Sequence, residues 1–191
     1  MSAFSEDLKR WMDRARRPHD ASPSPIRLQA RDVVTLFWRH GAVSATAIYR
    51  MSSWCHRHGV RVLPTILERL NMMLFGLEIG AAVPIGPGLY IAHPVGTVIA
   101  ARRVGANASF IAAVTVGMRE TWEFPLIGDA VTVGAGARIL GPITLGDGCS
   151  IGANAVVIND VPARATAVGV PARVLPPRAE APEAFAKVFD S

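Results

Sequence analysis

The sequence predicts a mainly β fold, in which a parallel β-helix follows a small α-helical region, and a six-residue repeat is the main reason. An aliphatic or aromatic residue recurs every six positions from residue 79 to residue 157, with one extra residue before Val98 and a longer interruption after Val116. Glycine commonly follows it, and a second small or aliphatic residue lies four positions later. The recurring residues are Ile79, Ile85, Ile91, Val98, Val104, Phe110, Val116, Ile127, Val133, Ile139, Leu145, Ile151 and Val157.

This period matches neither a helix nor an ordinary sheet. Apolar residues recur every 3.6 positions on an amphipathic helix and every second position on a half-buried strand. A period of six with two inward residues is typical of a short strand and a tight turn, repeated as one face of a triangular prism. Three faces make a coil of roughly 18 residues, and coils stack at about 4.8 Å. We therefore expect a little over four coils, with a height of roughly 20 Å.

The residues before the repeat predict helices. Residues 6–17 place apolar side chains at i, i+3, i+4 and i+7, which is the pattern of a short amphipathic helix. Prolines and serines at 18–25 indicate a linker, and residues 31–57 and 63–74 predict two further helices. Because their apolar stripes must be buried, we expect these helices to dock on the first coil and to cover its open edge.

Three regions are expected along the chain: a helical N-terminal region at 1–75, a β-helix domain at 76–175 and a C-terminal tail at 176–191, with a short helix at 182–189. With 50% hydrophobic and 18% charged residues, the chain can bury a core. The N-terminus lacks the apolar segment of a signal peptide, and charged residues interrupt 33–54 too soon for a membrane span. We expect a cytoplasmic protein.

Cysteine and histidine usage bounds the chemistry. The two cysteines, Cys55 and Cys149, lie far apart and make no disulfide framework, which suits a reducing compartment. Cys149 occupies an inward position of the repeat, where it is either a small core residue, which we expect, or a nucleophile. Zinc enzymes built on such a prism, the γ-type carbonic anhydrases, need three histidines. The repeat region has one, so no metal site is predicted.

The net charge of +5 raises the question of acidic partners. The basic residues lie mainly in the N-terminal third, without interleaved aromatic residues or a nucleic-acid motif. We expect a solvated helical face and no nucleic-acid partner, with weak association to a membrane surface as the second interpretation. The clustered residues are Lys9, Arg10, Arg14, Arg16 and Arg17.

His93 is the strongest candidate for a catalytic residue. It lies in Ile91-Ala92-His93-Pro94 and is the only histidine between Ile79 and the C-terminus. A repeat of small and aliphatic residues has no structural use for a lone imidazole. Imidazole is the side chain best suited to general acid and base catalysis near neutral pH, so chemistry is expected at His93.

Six segments over about residues 40–175 resemble the serine acetyltransferase branch of the hexapeptide acyltransferases. The segments are Gly76-Leu77-Glu78-Ile79, Ile91-Ala92-His93-Pro94, Val114-Thr115-Val116-Gly117, Val133-Gly134-Ala135-Gly136-Ala137, Leu140-Gly141-Pro142-Ile143 and Val168-Gly169-Val170-Pro171-Ala172-Arg173. The resemblance implies a left-handed parallel β-helix, acetyl-CoA as co-substrate without a permanently bound cofactor, and O-acetyl transfer to a hydroxyl. The segment around His93 is also similar to the exopolysaccharide and colanic-acid acetyltransferases of this branch.

The resemblance implies two catalytic residues. His93 matches the histidine that takes the proton of the acceptor hydroxyl, and Glu78, fifteen positions earlier, matches the acidic residue that orients it. A carboxylate on the other ring nitrogen would fix the tautomer and stabilise the imidazolium. The alternative is a structural or binding β-helix in which both side chains are only surface residues.

A site for acetyl-CoA in the groove between two prisms is implied as well. Pantetheine needs exposed backbone groups beside small side chains, and Gly117, Ala135 and Ala153 match those positions. The phosphates need cations, for which Arg173 is the first candidate and Arg138 the second.

Family members close this site with a loop from a neighbouring chain. We therefore expect a homotrimer in which residues 118–124 reach towards His93 of an adjacent chain.

The acceptor is assigned from departures from the family pattern. Serine-specific members carry Asp before the catalytic histidine and an Arg-His pair at the end of the loop, where this chain has Ala92, Glu123 and Phe124. A site without that cation is poorly built for a carboxylate. We expect a sugar hydroxyl in surface polysaccharide biosynthesis as the acceptor, with serine O-acetylation in cysteine biosynthesis as the alternative. The cations that could serve serine instead are Arg119, Arg102 and Arg103.

Overall fold

The computed structural model of the chain describes residues 3–15 and 30–175. Within these ranges four helices are followed by fourteen short strands. The linker expected at 18–25, the tail expected at 176–191 and its helix at 182–189 lie outside the described residues.

The helices agree with the predicted ones except at one break. They are α1 (Ala3–Ala15), α2 (Ala30–Arg39), α3 (Gly41–Arg57) and α4 (Leu63–Phe75). The single helix expected at 31–57 is divided at His40, whose backbone is extended with φ −128° and ψ 96°. A Cβ atom at Gly41 would lie 3.3 Å from the Phe75 ring, so glycine at this position lets α3 begin against the end of α4.

The strands form the three faces of a parallel β-helix. Face one contains β1 (Leu77–Ile79), β3 (Thr97–Ile99), β6 (Thr115–Gly117), β9 (Arg138–Leu140) and β12 (Val156–Val157). Face two contains β4 (Arg103–Val104), β7 (Leu126–Ile127) and β10 (Thr144–Leu145), extended by bridges at Ile85 and Val161. Face three contains β2 (Tyr90–His93), β5 (Ser109–Ala112), β8 (Thr132–Val133), β11 (Ser150–Ile151), β13 (Thr166–Gly169) and β14 (Ala172–Leu175).

The parallel β-helix predicted from the six-residue period is confirmed, although it has five coils where a little over four were expected. Neighbouring strands within each face are parallel, and only the closing β13–β14 pair is antiparallel. The fifth coil passes through Val161 and Ala167, which are buried and stack on Leu145 and Ile151. Val161 follows Val157 after four residues and not six, which is why the repeat count ended at Val157.

The predicted register is wrong at the start of the second coil. Ile79 pairs with Ile99, and Thr97 and Ile99 are the buried residues of β3, whereas Val98 between them is half-buried. Val95, expected to point inward, is 71% exposed. The corner before β3 therefore inserts two residues where the repeat allowed for one, and every side chain of the strand is turned to the other side.

Carboxylates fasten successive coils at the corner between faces two and three. Asp129 accepts the backbone N–H of Ala106 at 2.8 Å, and Asp147 accepts that of Asp129 at 2.7 Å. One coil thus donates a backbone N–H to the side chain of the next, which satisfies a corner amide that the strand ladders leave unpaired.

The helices cover the open edge of the first coil, as expected. Ala45 and Tyr49 of α3 belong to the same buried cluster as the aliphatic residues of the prism. The Tyr49 hydroxyl donates to the Val83 carbonyl at 2.7 Å, and the Arg50 guanidinium donates to the carbonyls of Ile85 and Gly86, each at 2.7 Å. Helix side chains thus satisfy backbone groups that would otherwise be unpaired at the end of the stack.

An ion pair ties α1 to the same edge. The Asp7 carboxylate lies 2.7 Å from Arg50 Nε and accepts the backbone N–H of Leu89 at 2.8 Å. Desolvation raises the pKa of Asp7 above its usual value, against the opposing influence of Arg50 and of the backbone donor. The first helix is therefore part of the cap.

The basic face of α1 is solvated only in part, because two of its arginines also contact the prism. Arg10 donates to the Ser109 hydroxyl at 2.7 Å, and the Arg14 guanidinium lies 5.2 Å from the centre of the Tyr90 ring. Residues 16–17 lie outside the described part of the chain. Among the residues that the structure describes, no helix has the length and apolar character to cross a bilayer.

Candidate active site

His93 ends β2 on face three, immediately before the corner that leads into β3. It pairs in register with Ala112 of β5, and its side chain is exposed. Within residues 3–15 and 30–175 its imidazole has no hydrogen-bond partner, whereas its carbonyl oxygen accepts a long bond of 3.4 Å from Thr97. The ring is thus held on a rigid strand and is open to a bound molecule.

Glu78 occupies the middle of β1 on face one. Its neighbours Leu77 and Ile79 are buried, so strand alternation turns the carboxylate outward, and it pairs in register with Val98. The corner after His93 leads directly into β3, the strand next to β1, so Glu78 and His93 lie on adjoining faces of the first coil. No hydrogen bond or ion pair joins the two side chains within the described chain, so their cooperation stays a prediction.

Two of the predicted pantetheine positions share an edge of the prism with His93. Ala112, the register partner of His93, accepts the N–H of Gly136 at 2.8 Å, and Ala135 accepts the N–H of Asn154 at 2.8 Å. These bonds stack His93, Ala112, Ala135–Gly136 and Ala153–Asn154 along the corner between faces three and one, here called the His93 edge. At this edge Ala135 is half-buried and Ala153 is exposed.

Gly117 lies across face one from the His93 edge. It ends β6, pairs with Leu140 and precedes the inserted loop, residues 118–124. A Cβ atom at this glycine would meet no heavy atom within 4 Å, so packing in the single chain does not require glycine. Within one chain, therefore, Gly117 and His93 are not brought together.

The two candidate phosphate-binding arginines have different surroundings. Arg173 is exposed on β14, at one end of the six-stranded face whose other end is β2 with His93. Five strand spacings, roughly 24 Å, separate these two strands. Arg138, by contrast, donates to the carbonyls of Ala113 at 2.6 Å and Gly136 at 3.1 Å. Arg138 is used to hold a corner, which leaves Arg173 as the better candidate for phosphate binding.

Cys149 is a core residue. It is fully buried among the inward side chains of the prism, and burial raises the pKa of its thiol to about 11. A thiol that is protonated at neutral pH and shielded from substrate is a poor nucleophile. Metal chemistry gains no support either, because the described residues contain no cluster of three His, Cys, Asp or Glu side chains that could hold an ion.

The inserted loop is largely exposed and borders a hollow of about 380 Å³ on its face-two side. The hollow, here called the loop hollow, is lined by Arg102, Trp122, Glu123, Phe124, Leu126 and Pro142, among others. Trp122 is 84% exposed. The Arg119 guanidinium, the first candidate for an acceptor-binding cation, forms an ion pair with Glu120 at 2.7 Å. The structure thus places Arg102, not Arg119, in one hollow with Glu123 and Phe124.

Comparison with known proteins defines the family. Residues 124–159 match the bacterial transferase hexapeptide family of six repeats. Serine acetyltransferases of Synechococcus elongatus and Helicobacter pylori are 33% and 34% identical to the chain over 150 residues, which is 76% of its length. The chain covers 62% of the first protein and 88% of the second. The chain belongs to the serine acetyltransferase family.

Solved structures of serine acetyltransferases have the same architecture. The soybean enzyme complexed with serine matches 91% of this chain with a TM-score of 0.77 and 32% identity, over 68% of its own length. A serine acetyltransferase in complex with CoA matches 91% of the chain with a TM-score of 0.77 and 29% identity, also over 68% of its length. Membership confirms the predicted branch, and the relatives are acetyltransferases, the enzyme class that was predicted.

The prediction of a sugar acceptor in polysaccharide biosynthesis is wrong. The relatives at 33–37% identity and the serine-bound soybean structure are serine acetyltransferases, which agrees with the alternative and gives no support to an exopolysaccharide or colanic-acid character. The prediction rested on residue types at Ala92, Glu123 and Phe124. It gave these three positions more weight than the alternative cations, of which Arg102 lies in the same hollow as Glu123 and Phe124.

Proposed function

We propose that the protein transfers the acetyl group of acetyl-CoA to the hydroxyl group of L-serine. Family membership supports the reaction. The observation that carries it within this chain is the exposed imidazole of His93 at the edge of the prism, which has no hydrogen-bond partner among the described residues. Acetyl-CoA is a co-substrate in this proposal, and no cofactor is permanently bound.

The chemistry requires one base. The imidazole of His93 accepts the proton of the serine hydroxyl while the oxygen attacks the thioester carbonyl, so that a carbon–oxygen bond forms. The carbon–sulfur bond then breaks, and the CoA sulfur takes the proton from the imidazolium, which regenerates the base. Glu78, on the adjoining face, is the carboxylate that orients the ring and stabilises its charged form.

Acetyl-CoA would lie along the His93 edge. Pantetheine amides pair with backbone groups beside the small side chains of Ala135 and Ala153, and the distant Arg173 binds phosphate. The roughly 24 Å between the strands of His93 and Arg173 suits a long, extended ligand whose two ends differ in chemistry. Gly117 contributes from the facing chain.

The acetyl group passes directly to serine. Cys149 is buried with its pKa raised to about 11, and the free thiol of Cys55 is buried too. Neither thiol is placed as a covalent carrier, so donor and acceptor must be bound together. Two unpaired cysteines also suit the reducing cytoplasm, the location that belongs to this proposal.

A homotrimer completes the site. His93 lies at the corner between faces three and one, whereas residues 118–124 leave face one at its opposite corner, so the two cannot meet within one chain. Trp122, 84% exposed, is a large apolar side chain of the kind that anchors interfaces. A neighbouring prism would cover this ring and would place the loop beside its own His93.

The proposal is tested by following CoA release from acetyl-CoA with L-serine as acceptor. His93→Ala should lower the rate by about 10²- to 10⁴-fold without a change in the thermal unfolding temperature, because the exposed ring has no hydrogen-bond or ion-pair partner among the described residues. His58→Ala is the matched control, since His58 is an exposed histidine at the end of α3 whose ring stacks on Trp54. Wild-type protein without serine turnover, or full turnover after His93→Ala, would contradict the proposal.

A further inference from the structure

The loop hollow holds two opposite charges that are not paired with each other. Arg102 and Glu123 both line it, and no ion pair of 4.0 Å or less joins them in the described chain. We propose that these two side chains bind the acceptor amino acid: Arg102 binds the carboxylate of the amino acid, and Glu123 binds its ammonium group. This inference rests on the proposed function and names the residues that would select a free amino acid.

Arg102 is positioned and available. Its backbone N–H donates to the Pro125 carbonyl at 2.8 Å, which holds it beside the end of the inserted loop. Within residues 3–15 and 30–175 its guanidinium has neither a hydrogen-bond nor an ion-pair partner. Arg119 is paired with Glu120, and Arg103 lines a different, mostly apolar hollow with Trp54 and Leu63. A planar guanidinium can bind a carboxylate through two parallel hydrogen bonds.

Glu123 supplies the opposite charge. Its exposed carboxylate has no partner among the described residues, and it lies on the same hollow as Arg102. A free amino acid carries a carboxylate and an ammonium group a few atoms apart, so separate cationic and anionic partners match it better than a single cation does. In the sequence, Glu123 argued against a free amino acid as the acceptor. With Arg102 as its neighbour, the same carboxylate favours one.

The apolar part of the hollow strengthens both interactions. Phe124 and Trp122 border the two charges and would exclude water when a neighbouring chain covers the loop. Charge–charge attraction grows as the effective dielectric constant falls, so a covered hollow binds the charged ends more tightly than an open surface would. The acceptor hydroxyl would then face His93 of that neighbouring chain.

The test compares acceptors that lack one charge. L-serine has both charged groups, serinol keeps the ammonium group and lacks the carboxylate, and glycerate keeps the carboxylate and lacks the ammonium group. Arg102→Ala should lower kcat/KM for L-serine roughly 10- to 100-fold, mainly through KM, and should leave serinol turnover unchanged. Glu123→Gln should lower kcat/KM for L-serine in the same way and should leave glycerate turnover unchanged. Arg102→Lys should restore part of the L-serine activity.

Arg103→Ala is the matched control, because it removes the adjacent exposed arginine that lines the other hollow. It should leave kcat and KM unchanged for all three acceptors. Equal losses for L-serine and serinol after Arg102→Ala, or no loss for L-serine while the wild-type protein turns it over, would overturn the inference and leave the proposed function standing. No L-serine turnover by the wild-type protein would overturn both.

Discussion

The cap on the first coil predicts how Tyr49 contributes to stability. Its side chain is 1% exposed, and its hydroxyl donates at 2.7 Å to the Val83 carbonyl, which the strand ladders do not use. Tyr49→Phe removes this donor without creating a cavity and leaves the carbonyl unsatisfied, at a cost of about 1–2 kcal/mol. Tyr49→Ala also removes the ring and should cost about 3–5 kcal/mol.

The chain offers a matched control for this change. It has two tyrosines, and the hydroxyl of the other, Tyr90, has no hydrogen-bond partner among the described residues. Urea unfolding followed by circular dichroism should show a lower midpoint with an unchanged slope for Tyr49→Phe, and a shift within about 0.5 kcal/mol for Tyr90→Phe. Equal shifts for the two variants would refute the assignment of a structural hydrogen bond to Tyr49.

The same residue predicts a pH dependence. Burial raises the pKa of Tyr49 from 10.0 to about 12 in the folded protein. The neutral phenol is thus favoured by folding, so its contribution is fully present below pH 10 and is lost as the pH rises through about 12. A shift of about two units corresponds to roughly 2–3 kcal/mol. The free energy of unfolding of the wild-type protein should fall over this range more than that of Tyr49→Phe.

Four further outcomes can be measured. Glu78→Gln should lower kcat for acetyl transfer by less than His93→Ala does, since it loses orientation of the base and not the base itself; an equal loss would assign Glu78 a direct role. The thiol of Cys149 is buried with a pKa of about 11, so Cys149 should resist iodoacetamide in the folded protein at pH 8. For the same reason, the intact mass after incubation with acetyl-CoA alone should show no acetylated enzyme. Gly117→Ala should leave the unfolding temperature unchanged, since a Cβ atom there meets no heavy atom within 4 Å, but should raise KM for acetyl-CoA; an unchanged KM would remove Gly117 from the site. Trp122→Ala should shift light-scattering mass from trimer towards monomer, and an unchanged trimer would show that the ring is not an interface anchor.

The prism was predictable because its inward positions depend on the sequence spacing alone. Ile85, Phe110 and Val133 are buried where the six-residue period placed them. The error at Val98 arose at a corner, where two inserted residues can be accommodated without loss of the repeat and the period does not show which strand residue turns inward. The break at His40 was missed for a similar reason, because the close approach of Gly41 to the Phe75 ring is a tertiary contact.

The site residues also differ in how far the sequence alone predicted them. His93 was identified from its residue type in an otherwise aliphatic repeat, and Glu78 from resemblance. The proximity of Arg102 and Glu123 was not predictable from their sequence positions. A coil and the inserted loop separate them along the chain, and they come together only when the coils stack. The acceptor was therefore judged at the matching positions of one loop, whereas the lining of the hollow comes from three successive coils.

The carboxylates that join one coil to the next recur at equivalent corners, so the height of the prism can change by whole coils. Gly128-Asp129 and Gly146-Asp147 occupy equivalent corners one coil apart, so removal of residues 129–146 would join Gly128 to Asp147 and restore the same corner. The shortened prism would keep His93 and Arg173 in their own surroundings and bring them about 4.8 Å closer together. The distance between the proposed base and the proposed phosphate-binding arginine is therefore set by the number of coils, and it changes in steps of about 4.8 Å.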